Sequence, residues 1–70
     1  MQVVKSEDVI VGQTYYLDPT LKTYGKVVSN EQNSVYFKLE SENDGYYITE
    51  GDNTVGFPVN PYIEFILKDN

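Results

Sequence analysis

The side chains in this 70-residue chain best equipped for chemistry are a run of acids in its second half and seven tyrosines spread along it. Glu40-Ser41-Glu42-Asn43-Asp44-Gly45 sets oxygen-bearing side chains at alternate positions and ends on a glycine, an echo of a calcium loop. The echo is incomplete. Its first two acids are Glu where Asp is usual, and Glu50 falls one position before the place of the closing bidentate ligand, which Gly51 occupies. The segment reads as an acidic hairpin tip, and no metal is expected. Glu40 with Glu42, or Glu50 with Asp52, could serve as acid and base, but carboxylates at the ends of a surface hairpin are solvated charges. The sequence has no His and no Cys, which removes the commonest general base, the thiol nucleophile and the usual zinc ligands. Ser6, Ser29, Ser34 and Ser41 have no partner at a recognisable spacing. The chain is therefore read as a non-enzyme without a cofactor.

The tyrosines are the stronger signal. Alternation along the apolar runs puts Tyr16, Tyr36, Tyr47 and Tyr62 on the face away from the core. Outward tyrosines either pair across strands or form an interface, since a tyrosine offers a large contact area for little lost conformational freedom. Glu40, Glu50 and Glu64 lie close to them in sequence and favour a partner that carries Lys or Arg. The expected partner-binding set is Tyr16, Tyr36, Tyr47, Tyr62, Glu40 and Glu50.

The elements that must hold these residues are short strands. Apolar runs at 14–17, 22–29, 34–40, 46–49 and 62–68 are separated by turn residues such as Asp18-Pro19, Asn30–Asn33, Asp44-Gly45 and Gly51-Asp52-Asn53. In the third run Val35, Phe37 and Leu39 point inward, and in the fourth Tyr46 and Ile48 do. Gly25 suggests a bulge or bend. Residues 55–58 read as extended and brief, with Pro58 and Pro61 excluding a central strand. Residues 1–12 read as an extended arm or a single helical turn capped by Ser6, and 13–68 as the barrel of a single domain, 1–70. No segment keeps a helical apolar period. The expected fold is all-β, five strands closing into a small barrel.

Five Lys, no Arg and 11 acids give a net charge of −6. Nucleic-acid binding normally leaves a basic footprint, so the composition argues against direct contact with DNA or RNA. No stretch reaches membrane-spanning length, and Met1–Asp8 has no apolar run of signal-peptide length, so a cytoplasmic location is expected.

The segment Gly56-Phe57-Pro58-Val59-Asn60-Pro61-Tyr62-Ile63-Glu64 resembles the end of an SH3 domain, where Gly-aromatic-Pro leads through a short 3₁₀ turn to a Tyr and the last strand. The Tyr-rich first strand, Tyr15-Tyr16-Leu17-Asp18, and the order of strands and turns are similar too. The resemblance implies an SH3-like barrel and a peptide groove lined by Pro58, Asn60, Tyr62 and one of Tyr15 or Tyr16. The chain has no Trp, the aromatic that lines that groove in binders of Pro-rich peptides, and Pro61 lengthens the family spacing.

Three roles fit these features. The leading one is an interaction module that binds a protein with a basic surface. The second is a small acidic inhibitor, of the kind some viruses encode, that masks a nucleic-acid-binding surface. The third is a structural subunit of an oligomer or virus particle.

Overall fold

A computed structural model describes residues 1–48 and 51–68. Six strands form one antiparallel sheet: β1 (Val3–Lys5), β2 (Thr14–Tyr16), β3 (Tyr24–Asn30), β4 (Ser34–Leu39), β5 (Thr54–Pro58) and β6 (Glu64–Leu67). Their spatial order is β1-β6-β2-β3-β4-β5, so the last strand lies between the first two. The all-β expectation stands, with one 3₁₀ turn at Ser6–Asp8. The sheet curls into a half-barrel.

Four local expectations are corrected. Among the described residues the count is six strands, because Val3–Lys5 of the N-terminal arm pairs with β6 (Val4 opposite Phe65). Ser6 does not cap the 3₁₀ turn. Its buried hydroxyl donates to the Asn60 carbonyl and accepts from the Asn60 N–H, both at 2.9 Å, which ties the arm to the bend before β6. The expected fourth strand is absent over Tyr46–Ile48, where Ile48 faces solvent; its last residue, Thr49, lies outside the described residues. The Asn43 side chain explains this. It accepts from the Tyr46 N–H and donates to the Tyr46 carbonyl, occupying both groups that a ladder would use. Residues 54–58 pair with β4 in their place, as an edge strand that ends at Pro58, where a missing N–H is tolerated.

The register shift lies between Val27 and Ser29, so Val28 is the extra residue and Gly25 is not in a bulge. Gly25 serves close approach instead: a Cβ there would stand 2.8 Å from the Lys38 carbonyl oxygen.

Alternation fills the concave side. Val35, Phe37 and Leu39 are buried, as their spacing requires, and meet Tyr15, Leu17, Val27, Val55 and Phe65. Phe37 is the hub. Its ring packs edge-on against Phe65 (centroids 4.8 Å apart), Phe57 (5.7 Å) and Tyr15 (6.1 Å). Phe57 and Phe65 meet at 5.0 Å although their strands, β5 and β6, do not pair. The open side of the half-barrel is thus joined by rings rather than by backbone.

Candidate interaction surface

The outer face of the sheet is built by register, in three rows that run across the strands. In the first, Val3 lies opposite Ile66, Ile66 opposite Tyr16, and Tyr16 opposite Tyr24. The Tyr16 and Tyr24 rings are edge-to-face at 5.9 Å. In the second, the Lys68 N–H bonds the Thr14 carbonyl, Thr14 lies opposite Lys26, Lys26 opposite Lys38, and Lys38 opposite Thr54. In the third, Tyr36 lies opposite Ser29 on one side and Gly56 on the other. Its ring rests against Gly56, where a Cβ would come within 2.8 Å of the ring edge.

This arrangement divides the expected tyrosine set. Tyr16 and Tyr36 are half-buried on the outer face, but Tyr36 sits opposite Ser29, five residues along β3 from Tyr24, roughly 15 Å by strand rise. Tyr47 and Tyr62 lie outside the strands and are 96% and 87% exposed. Tyr62 follows a bend that Asn60 shapes, its side-chain oxygen accepting from the Tyr62 and Ile63 N–H groups. Glu40 is exposed and reaches the outer face, accepting from the Thr14 hydroxyl at 2.9 Å. Glu50 lies outside the described residues.

Two residues outside the expected partner-binding set matter here. Lys68 places its ammonium 4.9 Å from the Tyr24 ring centre and 6.0 Å from that of Tyr16, a cation over two rings. The cross-strand register that creates this contact has no signature in the local sequence. Asp18 is the other. Its carboxylate accepts from the Lys22 and Thr23 N–H groups and from the Thr20 hydroxyl, and so organises the whole β2–β3 turn. Burial pushes this carboxyl up, but those bonds outweigh it and hold it below its ordinary value.

Beside Tyr16 lies an open hollow of about 240 Å³. It is lined by Val3, Tyr16, Pro19 and Ile66 together with Asp18 and Glu64. Lys5 stands opposite Glu64 on the neighbouring strand, and the Lys68 ammonium lies on the Tyr16 side, so both carboxylates have a lysine in their surroundings.

Glu40, Ser41 and Asn43 of the acidic loop make internal contacts, while Glu42 and Asp44 are exposed. Glu40 bonds Thr14, Ser41 accepts from the Tyr24 N–H, and Asn43 bonds Tyr46. Among the described residues, no three acids converge as metal ligands would, and no helix is long and apolar enough to cross a membrane. No protein-family model matches this sequence, and neither a curated protein nor a solved structure matches it.

Proposed function

We propose that the chain is a non-enzymatic interaction module that holds a protein partner through its outward tyrosines, with the acid-lined hollow beside Tyr16 receiving a basic segment. The observation that carries this reading is the composition of the hollow: apolar walls from Val3, Tyr16 and Ile66 next to the carboxylates of Asp18 and Glu64. Such a site takes an apolar side chain whose neighbour is Lys or Arg. The exposed rings of Tyr47 and Tyr62 add contact area that the core does not use, and Glu64 lies two residues from Tyr62. An SH3-like assignment of the half-barrel is supported by its strand order, in which β2 to β5 form a meander and β6 returns beside β2 after the Pro58–Ile63 bend.

The test is affinity capture from the native source with the parent chain and with two variants, Tyr62→Ala and Glu64→Gln. Both positions are exposed, so the far-ultraviolet spectrum and melting temperature should hold while capture of the partner falls at least tenfold. Unchanged capture by folded variants would remove the hollow and Tyr62 from the interface.

A further inference from the structure

We propose that the outer sheet face, centred on Lys26, Lys38 and Lys68, binds single-stranded nucleic acid. This goes beyond the protein-binding reading and does not depend on it; Tyr16 and Tyr36 border both surfaces, so the two ligands would compete there. Composition argues the other way, because five lysines are set against 11 acids. The fold separates the two signs in part: Asp18 and Glu64 stay beside Tyr16 and Glu40 beside Thr14, while other acids lie away from the sheet. Acids at Glu7 and Asp8 lie in the 3₁₀ turn, and Glu31, Glu42, Asp44 and Asp52 lie in connections at the strand ends. Three of the five lysines fall in a single row across the sheet, with threonines as their other cross-strand neighbours.

Lys26 and Lys38 face each other directly. Like charges at directly opposed positions destabilise a sheet, so folding alone gives no reason for the pair. An anion lying over the row reverses the sign of that effect. Strand spacing makes the row from Lys68 to Lys38 roughly 15 Å long, enough for several consecutive phosphates. Glu40 also reaches this row, its Oε1 accepting from the Thr14 hydroxyl, so one negative charge stands beside the three lysines.

The aromatic flanks choose the ligand. Tyr16 and Tyr24 border the lysine row on one side and Tyr36 borders it on the other. Lys68 already lies over the Tyr24 and Tyr16 rings, so Tyr36 is the ring left to stack a base, and lysines that track a backbone beside such a ring suit a single strand. An acidic peptide would satisfy the lysines but gives that ring no stacking partner. The loop acids repel strand that runs beyond the row, which limits the footprint to a few nucleotides. Salt at physiological strength confines that repulsion to about 8 Å.

The probe is a fluorescein-labelled oligo-dT of about 15 nucleotides, read by anisotropy against the full chain. Three phosphate contacts predict a slope of about −2 in log affinity against log salt, or a loss of roughly 20-fold between 50 and 200 mM. The double variant Lys26→Gln/Lys38→Gln should bind at least tenfold more weakly and flatten the slope by about 1.4. It should melt no lower than the parent, because the facing charges are gone. Tyr36→Leu should weaken binding without changing the slope. Absence of binding at 50 mM salt by the folded chain overturns the proposal, as does equal binding by the double lysine variant. Tighter, lysine-dependent binding of a poly-glutamate peptide also overturns it, and would assign the face to an acidic protein segment.

Discussion

The Tyr46 hydroxyl donates to the Leu17 carbonyl at 2.6 Å, across 29 positions of sequence. Its ring also packs edge-on against Phe57, with centroids 5.7 Å apart. One side chain from an irregular loop therefore links the end of β2 to the edge strand β5, where no ladder joins them. Burial pushes the Tyr46 phenol above its ordinary value of 10.0, and the nearby carboxylates of Asp18 and Asp44 add to that shift. The folded state thus keeps this proton to higher pH than the unfolded chain. The stabilisation is complete below pH 10.0 and is lost as pH climbs through the raised folded value. Tyr46→Phe should cost about 1 kcal/mol near neutral pH. The gap between variant and parent should narrow above pH 10 in urea titrations. A gap that stays constant with pH would mean the hydroxyl does not carry the link.

Thr23 offers the opposite experiment. It is fully buried, and among the described residues its Oγ1 has no hydrogen-bond partner. Its backbone is well served, with the N–H bonded to Asp18 at 2.8 Å and the carbonyl accepting from the Leu17 N–H at 2.8 Å. Thr23→Val keeps the shape and both backbone bonds and removes the stranded hydroxyl. The variant should gain about 1 kcal/mol, which for a domain of this size raises the melting temperature by about 4–8 °C. A lower melting temperature would show that the hydroxyl has a partner after all.

The two sheet glycines should respond unequally to a methyl group. At Gly25 the new Cβ would meet the Lys38 carbonyl oxygen at 2.8 Å, the Lys38 carbonyl carbon at 3.2 Å and the Phe37 Cβ at 3.2 Å. None of these can move without parting β3 from β4. At Gly56 the near atoms belong to the Tyr36 ring, which can swing outward. Gly25→Ala should therefore cost about 1–3 kcal/mol, and Gly56→Ala clearly less. Equal losses in denaturant midpoint would contradict the difference in what each methyl meets.

These responses also mark how far local pattern carries. Val35, Phe37 and Leu39 were legible because period-two alternation is a property of neighbouring residues, and a buried face enforces it. Tyr46–Ile48 misled because its composition suits a strand, while the deciding factor is Asn43 taking over the Tyr46 backbone. The N-terminal arm gave no strand signal over three residues; β1 forms because β6 offers it an edge. The lysine row was invisible for a related reason. Lys26, Lys38 and Lys68 are far apart in sequence, and only the pairings of β6 with β2, β2 with β3 and β3 with β4 align them. Net charge sums over the chain and cannot report such a local row. The outward placement of Tyr16 and Tyr36 was readable from alternation, but the roughly 15 Å between their rows was not.

Asp18 ties the candidate surface to the fold, because it both lines the hollow and closes the β2–β3 turn. The turn needs help. Leu21 sits at φ 61°, a region that a branched, non-glycine residue enters only under constraint. The constraint comes from the Leu21 N–H bonded to the Asp18 carbonyl, with the Lys22 and Thr23 N–H groups held by the Asp18 carboxylate. Asp18→Ala releases two backbone donors at once and should cost about 1–2 kcal/mol. Asp18→Asn keeps one acceptor oxygen and should cost less. The parent carboxyl is depressed in the folded state, so its stabilisation is complete above the ordinary Asp value of 3.8 and disappears as pH falls through the lower folded value. Urea midpoints at pH 7 and pH 2.5 separate these contributions. The parent should lose more stability on acidification than Asp18→Asn, whose amide does not titrate. If both lose the same amount, the turn is held by its backbone alone and the acid dependence belongs to other carboxylates.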